Sequence, residues 1–200
     1  MYDDEFELTF DLSDEDKASR APEPEQEPVQ EAAPEPAAET EPPVEAVPEP
    51  AVPAANGRCV LISGGDRGIG AAAARAFWQA GYRVAVLYHT HAEAAAALEK
   101  ALPGLLAVQC DVASRASCEV AFHTVEQAVG HVDVLVSNAG IAQQKLFTDI
   151  TPEEWQHMLD VNLSGAFHLC QLALPGMIRR KAGRILTVSS MWGQTGGSCE

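Results

Sequence analysis

Residues 60–70 read Val60-Leu61-Ile62-Ser63-Gly64-Gly65-Asp66-Arg67-Gly68-Ile69-Gly70. An apolar run ends here in a glycine-rich turn, and an alanine-rich helical pattern follows at once. Glycine permits positive φ angles and lets backbone N–H groups come close to a ligand. The N-terminus of the following helix would carry partial positive charge and unpaired N–H groups, which suit a pyrophosphate. The strand–turn–helix pattern therefore predicts a dinucleotide-binding turn.

The glycine spacing leaves a second interpretation open. Gly64, Gly68 and Gly70 form G-x-x-x-G-x-G, whereas the commoner dinucleotide fingerprint is G-x-G-x-x-G. A tight turn that only packs the helix against the strand would also use glycine. Residues elsewhere in the chain must therefore decide between the two.

Short β-rich runs alternate with helical stretches from Arg58 onward. The predicted strands span residues 60–63, 83–88, 105–110, 132–136 and 185–190. Ser114 is the predicted cap of one helix, and Thr151 with Pro152 starts a long helical pattern that continues towards Met177. Alternation with continuous apolar strands predicts an α/β fold of the Rossmann type, a doubly wound parallel sheet covered on both faces.

In such sheets, ligands bind outside the carboxyl ends of the strands, where the strand order reverses. We therefore expect the binding residues among those that follow the predicted strands. These are residues 64–70, 88–90, 111–112, 137–140 and 189–190.

The chain divides by composition near residue 57. Residues 1–57 hold seventeen of the 29 acidic residues, two of the 13 basic ones and ten of the 13 prolines, so they carry −15 of the formal net charge of −16. Such a segment cannot bury enough apolar surface to offset its ordering entropy, and we expect a disordered tail. Its charge argues against nucleic acid and anionic membranes as partners. Residues 58–200 form the predicted folded domain.

The tail has more than one interpretation. It can be a solubilising spacer. Apolar and polar residues alternate from Phe6 to Leu12, so this segment could instead add as a strand to the exposed sheet edge of a partner. Ser13 with Asp16 could equally cap a short acidic helix.

The sequence contains no recognisable targeting or metal-binding motif. The N-terminus has no basic and apolar regions of a signal peptide, and no run reaches the eighteen or so apolar residues of a membrane span. The five scattered cysteines are typical of reduced thiols, so we expect a cytoplasmic protein. Neither C-x-x-C nor H-E-x-x-H occurs, and we expect no metal site.

Five motifs occur together and in one order within residues 58–200. They are S-G-G-D-R-G-I-G at 63–70, D-V at 111–112, S-N-A-G at 137–140, V-N-L at 161–163 and G-R-I-L-T-V-S-S at 183–190. In this combination the sequence resembles the short-chain dehydrogenase/reductase family, and most nearly its 3-oxoacyl-acyl-carrier-protein reductases. Ser63 stands where the family usually has threonine, and Ser137 where it usually has asparagine. Both changes keep a small polar group.

The resemblance implies a nicotinamide dinucleotide along the predicted edge. The turn at 64–70 would bind the pyrophosphate, Asp111 and Val112 the adenine, and residues 138–140 the adenosine ribose side. Asp111 could instead be only a helix cap, and Asn138 only a turn former. The implied cofactor-binding residues are Ser63, Gly64, Asp66, Arg67, Gly68, Ile69, Gly70, His89, Asp111, Val112, Asn138, Ala139 and Gly140.

The choice of cofactor can be argued from charge. A site specific for NAD places a carboxylate at the end of the second strand, where it repels a 2′-phosphate. Here that end reads Tyr88-His89-Thr90 and has no acid. Arg67 can face the 2′-phosphate as a charge-assisted partner, although it could also be merely solvated. We therefore expect NADPH.

The resemblance also implies the reduction of a ketone to a secondary alcohol by hydride transfer. In the family a tyrosine donates the proton, a lysine lowers the pKa of that tyrosine, a serine holds the carbonyl oxygen and an asparagine holds a relay water. Ser190 matches the serine, although it could be only a strand-end cap. Asn162 matches the asparagine, although it could be only a helix-kink residue. The Tyr-x-x-x-Lys motif would follow Glu200. We therefore expect a fragment of a longer protein, with little reductase activity by itself.

Several roles remain open. The ketone could be a 3-oxoacyl group on acyl carrier protein. Residues 189–200 also resemble a branch that reduces a 5-aminopentanone group on elongation factor P, with Trp192 and Cys199 near the substrate, although Trp192 could be ordinary loop packing. Both substrates are carried on a protein, and a homo-oligomer is expected at full length. A non-catalytic dinucleotide-binding scaffold is the alternative from another class.

Overall fold

The computed structural model describes residues 54–195, apart from the side chains of Trp192 and Gln194. Within these residues five strands alternate with helices. The elements are, in chain order, β1 (Cys59–Ser63), α1 (Gly68–Gln79), β2 (Arg83–Tyr88), α2 (Ala92–Ala101), β3 (Leu106–Gln109), α3 (Arg115–Val129), β4 (Val134–Ser137), a 3₁₀ turn (Phe147–Asp149), α4 (Pro152–Leu159), a π-helical segment (Asp160–Ser164), α5 (Gly165–Arg180), β5 (Arg184–Thr187) and α6 (Trp192–Thr195).

The strands form one parallel sheet in the order β3-β2-β1-β4-β5. β1 lies at the centre, where Ile62 pairs with Val86 of β2 on one side and Val136 of β4 on the other. The chain moves outward from β1 to β3 and then returns to the opposite side of β1 at β4. This reversal confirms the predicted doubly wound Rossmann-type fold and places its switch point between β1 and β4.

Helices cover both faces of the sheet, as predicted. Alternate residues of β1 serve different faces, because successive strand side chains point in opposite directions. Leu61 packs in the cluster that holds Phe122 of α3 and Leu169 of α5. Ile62 packs on the other face in the cluster with Trp78 of α1. Full burial of each large aliphatic side chain contributes about 1.5–3 kcal/mol, so both faces stabilise the sheet.

Local signals account for the starts of two helices. The Ser114 side chain accepts a hydrogen bond from the Ser117 N–H and caps α3, as predicted. Thr151 and Glu154 form a reciprocal capping box at α4, with Pro152 in the first turn. The predicted long helix from Thr151 towards Met177 is wrong in one respect, because the π-helical segment interrupts it.

Four of the five predicted strands differ from the structure in their bounds: β1 starts one residue earlier, at Cys59, β3 spans only Leu106–Gln109, and β4 and β5 differ more. β4 starts at Val134, because Asp133 bonds to both backbone groups of Cys59: its N–H donates to the carbonyl and its carboxylate accepts from the Cys59 N–H. β5 ends at Thr187, and the Val188 N–H still donates to the Ser137 carbonyl. Ser189 and Ser190 therefore follow the strand instead of forming its tip.

The residues just before β1 contact the folded part. The Asn56 N–H donates to the Gly81 carbonyl at 2.9 Å, and the Asn56 side chain donates to the Ala80 carbonyl at 2.9 Å. The predictions for residues 1–53, including the segment 6–12, lie outside the described residues, as does Cys199. Across residues 54–195, no helix is long and apolar enough to cross a membrane.

Candidate functional site

A cleft of about 400 Å³ lies at the carboxyl ends of β1 to β4. Most of the predicted cofactor-binding residues line it: Gly64, Asp66, Arg67, Gly68, Ile69, His89, Asp111, Val112, Asn138, Ala139 and Gly140. Tyr88 and Thr90, which belong to the strand ends expected to bind a ligand, also line the cleft. Six further lining residues are not among those that the sequence pattern predicts: Leu87, His91, Cys110, Ile141, His157 and Val161. The topology thus brings the ends of four strands to one concave surface.

Three of the four glycines in the turn have different structural roles. Gly64 and Gly68 have φ angles of 60° and 53°, which L side chains rarely adopt. A Cβ at Gly70 would overlap the Gly64 carbonyl oxygen and lie 2.7 Å from Asn138 Nδ2. A Cβ at Gly68 would meet nothing within 4 Å. Gly70 is therefore a packing glycine, whereas Gly68 leaves open space at the cleft.

The N-terminus of α1 suits an anion. Arg67 precedes the helix with extended backbone, and within the described residues no side chain caps this end and no acid lies in the first turn. Gly68 and Ile69, the first residues of the helix, line the cleft. Unpaired N–H groups and the helix dipole favour negative charge at such a position. The open glycine surface and the uncapped helix together fit a pyrophosphate.

A hydrogen-bond clamp ties the glycine turn to the loop after β4. Ser63 is fully buried, and its Oγ accepts from the N–H groups of Asn138 and Ala139 at 3.0 Å each. Asn138 Nδ2 donates to the carbonyls of Ser63 and Gly64, both at 3.0 Å. Ser63 and Gly70 do not line the cleft. Their contacts with Asn138 hold together the two loops that do. Asn138 both lines the cleft and fixes its floor.

Asp111 closes a local turn after β3. Its Oδ1 accepts from the Ala113 N–H at 3.0 Å, an Asx-type turn. The cap of α3 is Ser114, so the helix-cap interpretation of Asp111 is wrong. Val112 is buried beside it, with its carbonyl 3.1 Å from His168 Nδ1. Both residues are thus held rigidly at the cleft wall.

Three side chains meet near the end of β2. Arg67 Nη1 lies 2.9 Å from His91 Nε2, so Arg67 is exposed but has a partner. His91 Nδ1 lies 3.1 Å from Thr90 Oγ1 and 3.7 Å from Asp66 Oδ2. Asp66 is buried, and its Oδ2 has no hydrogen-bond partner among the described residues. A carboxylate therefore lies close to this strand end, although residues 89–91, which directly follow β2, include no acid.

Asn162 lies in the π-helical segment and holds the loop after β4. Its Oδ1 accepts from the Ile141 N–H at 2.9 Å, and its Nδ2 donates to the Ile141 carbonyl at 3.0 Å. A Cβ at Gly140 would approach Asn162 Oδ1 to 3.0 Å. The side chain thus fixes the strand-end loop, a function that neither the relay-water nor the helix-kink interpretation includes. π-helical turns are frequent at functional sites.

Ser190 is exposed beyond the end of β5, at the same edge of the sheet as the cleft. Its carbonyl accepts from the Gly193 N–H at 3.1 Å. It is not among the residues that line the cleft. Asn162 is not among those lining residues either. The side chain of Trp192 lies outside the described residues.

Other chemical groups in residues 54–195 give no metal site, because no three His, Cys, Asp or Glu side chains are grouped to hold an ion. Cys59, Cys110, Cys118 and Cys170 are free thiols. Burial in β1 raises the pKa of Cys59 to about 11, so this thiol stays protonated at neutral pH.

Comparison with known proteins gives one family. Residues 58–200 match the family model described as short chain dehydrogenase. Acetoacetyl-CoA reductase of Shinella zoogloeoides is 40% identical over 139 residues, which cover 70% of this chain and 57% of that protein. Acetoacetyl-CoA reductase of Rhizobium meliloti is 41% identical over 139 residues, with the same coverage of 70% and 57%. The 3-oxoacyl-acyl-carrier-protein reductase MabA of Mycobacterium avium is 40% identical over 144 residues, which cover 70% of this chain and 53% of that protein. The chain spans about half the length of these curated relatives.

Proposed function

The chain belongs to the short-chain dehydrogenase family, and from that premise we propose that the full-length protein is an NADPH-dependent reductase of 3-oxoacyl thioesters. The names of the relatives support this substrate class. Acetoacetyl-CoA and 3-oxoacyl-acyl-carrier-protein share a ketone two carbons from a thioester, and they differ in the carrier. The product would be the corresponding 3-hydroxyacyl thioester.

The observation that carries the proposal is the cleft at the switch point of the sheet. An uncapped helix N-terminus and an open glycine surface meet there. The backbone at Gly64, Gly68 and Ile69 would hold the pyrophosphate. Asp111 and Val112 would bind the adenine, and residues 138–140 would contact the adenosine ribose side. The bound cofactor supplies the hydride that reduces the ketone.

Arg67 supports the phosphorylated form of the cofactor. Its guanidinium lies near the end of β2, where the ribose 2′-substituent binds in Rossmann folds. A planar cation with several donors suits a phosphate. The nearby Asp66 carboxylate would by its charge repel a 2′-phosphate, and the Arg67 guanidinium supplies the opposite charge beside it.

Ser190 and Asn162 are the proposed residues on the substrate side. A neutral serine hydroxyl can hold the ketone oxygen and strengthen its hydrogen bond as negative charge develops there. Asn162 would hold a relay water in addition to fixing the loop at Ile141. Both assignments rest on the motifs that these residues share with the family.

The carrier is tested by assaying the full-length protein. NADPH oxidation is measured with a 3-oxoacyl thioester on CoA, with the same acyl group on acyl carrier protein, and with elongation factor P that bears a 5-aminopentanone group. Turnover of the thioesters is the expected result, and a higher kcat/KM on one carrier identifies it. Turnover of modified elongation factor P alone would replace the thioester proposal with the second candidate, which residues 189–200 favour. NADPH binding without turnover of any substrate would support a non-catalytic binding module.

A further inference from the structure

We propose that Asp66 and His91 are a positioning pair that holds the Arg67 guanidinium at the end of β2, and that His91 thereby helps set the preference for a 2′-phosphorylated cofactor. The inference rests on the proposed function, in which Arg67 contacts the 2′-phosphate. Three observations carry it: the Arg67–His91 contact, the unpartnered oxygen of Asp66, and the location of all three residues at the cleft.

The contact between Arg67 and His91 fixes the state of the imidazole. A guanidinium only donates hydrogen bonds, so Nε2 of His91 must accept at 2.9 Å. An imidazolium has two donors and could not do this. The contact therefore requires the tautomer that carries its proton on Nδ1. Loss of the ring would remove the acceptor that orients Arg67.

Asp66 lies behind that proton. Its buried Oδ2 is 3.7 Å from Nδ1, and Thr90 Oγ1 lies 3.1 Å from the same nitrogen. Buried carboxylate oxygens normally have a donor, because leaving one unpaired is costly. Nδ1 is closer to Thr90 Oγ1 than to Asp66 Oδ2, and a small ring movement would bring its proton within hydrogen-bond distance of the carboxylate. The carboxylate thus favours the tautomer in which Nε2 can accept from Arg67.

An oriented arginine binds phosphate better than a mobile one. A long, exposed side chain that has no partner loses rotamer freedom when it binds a ligand, and this loss weakens binding. Arg67 is long and exposed, but it already has a partner in His91. His91 already restricts the guanidinium before the phosphate arrives, which is preorganisation. The ring therefore raises affinity for a cofactor with a 2′-phosphate and has little effect on one without it.

The test measures dissociation constants of NADPH, NADH, 2′,5′-ADP and 5′-ADP with the full-length protein by direct titration. His91→Ala should weaken the two 2′-phosphorylated ligands about three- to tenfold, because a positioning contact contributes less than a direct charge-assisted bond. NADH and 5′-ADP should change less than about twofold. His91→Gln keeps an acceptor on a long side chain and should restore much of the affinity. His123→Ala is the matched control, since His123 is exposed on α3 and bonds to Gln127 outside the cleft.

A double-mutant cycle separates positioning from a general structural role. In the Arg67→Ala background, His91→Ala should cause no further loss of NADPH affinity. Equal losses for NADPH and NADH, or full additivity with Arg67→Ala, would overturn the inference.

If the wild-type protein binds NADPH no better than NADH, the proposed cofactor fails and the inference fails with it. If Arg67→Ala removes the preference for NADPH over NADH and His91→Ala leaves that preference intact, only the inference about His91 fails. If His91→Ala does not fold, His91→Gln and His91→Asn carry the test, because asparagine is too short to reach Arg67 and should behave as alanine does.

Discussion

Single side chains hold this cleft by bonding to backbone that is distant in sequence. Ser63 and Asn138 join β1 to the loop after β4 through four hydrogen bonds of 3.0 Å. Asn162 holds Ile141 in the same loop. The loops that line this cleft are therefore supported by side chains anchored on strands and helices.

Ser190→Ala should lower turnover of the full-length enzyme by about a hundred- to a thousandfold, which is the usual loss of one donor to a developing oxyanion. The NADPH dissociation constant should stay nearly unchanged. Ser189→Ala is the matched control and should lose far less. Strand alternation cannot distinguish the two serines, because both follow the last residue of β5. Equal losses in single-turnover measurements would contradict the choice of Ser190.

Because the Cys59 thiol is buried, we expect the free energy of unfolding to fall at alkaline pH. Burial raises its pKa from the ordinary 9.0 to about 11 in the folded protein. The thiol ionises at a lower pH in the unfolded chain than in the folded protein. The stabilisation that the buried, protonated thiol contributes is therefore complete below pH 9 and is lost as the pH rises to about 11. Two pKa units correspond to about 3 kcal/mol in the free energy of unfolding.

Urea unfolding between these pH values is the measurement. Cys59→Ala should make the pH dependence of the free energy of unfolding shallower, whatever its effect on stability at neutral pH. Cys170→Ala is the control, because this partly buried thiol should contribute less. Parallel curves for wild type and Cys59→Ala would show that Cys59 does not ionise differently on unfolding.

Among the elements, the glycine turn between β1 and α1 contains one glycine that packing requires and one that faces open space at the cleft. Gly70→Ala should destabilise the fold by about 2 kcal/mol or more, because the added Cβ overlaps the Gly64 carbonyl oxygen and overpacks the turn. Gly68→Ala should lose only about 1–2 kcal/mol from its positive φ, but it should weaken cofactor binding by placing a methyl group at the cleft. Thermal unfolding and NADPH titration distinguish the two. The reverse ranking of stability losses would contradict the packing role of Gly70.

For the molecule as a whole, the composition of the tail predicts that it contributes little to stability. Deletion of residues 1–53 from the full-length protein should shift Tm by less than about 2 °C, a change that corresponds to at most about 0.5–1 kcal/mol in a domain of this size. The deletion stops before Asn56, because Asn56 bonds to the turn between α1 and β2. Turnover of a small thioester should also be unchanged. A Tm lower by several degrees would show that the tail packs on the domain, and a loss confined to protein-borne substrates would favour docking through residues 6–12.

Local sequence was sufficient wherever the deciding interaction spans a few residues. The caps at Ser114 and Thr151 each close within three residues, so the sequence predicts both helix starts. The apolar strands and the glycine turn likewise predict the Rossmann-type sheet, because parallel strands with crossover helices have few allowed topologies. The same rules place the binding edge at the carboxyl ends of the strands.

Tertiary packing decided what depends on distant residues. The Arg67–His91 contact joins residues 24 positions apart, and it exists because β1 and β2 pair in register from Cys59 with Arg83 to Ser63 with Leu87. The packing role of Gly70, the clamp from Asn138 to Ser63 and the true end of β5 also depend on neighbours across the sheet. Periodicity records only which residues are apolar and how they repeat along the chain. Side-chain contacts at strand ends depend on how far each strand extends past its neighbour, and only the folded sheet determines that distance.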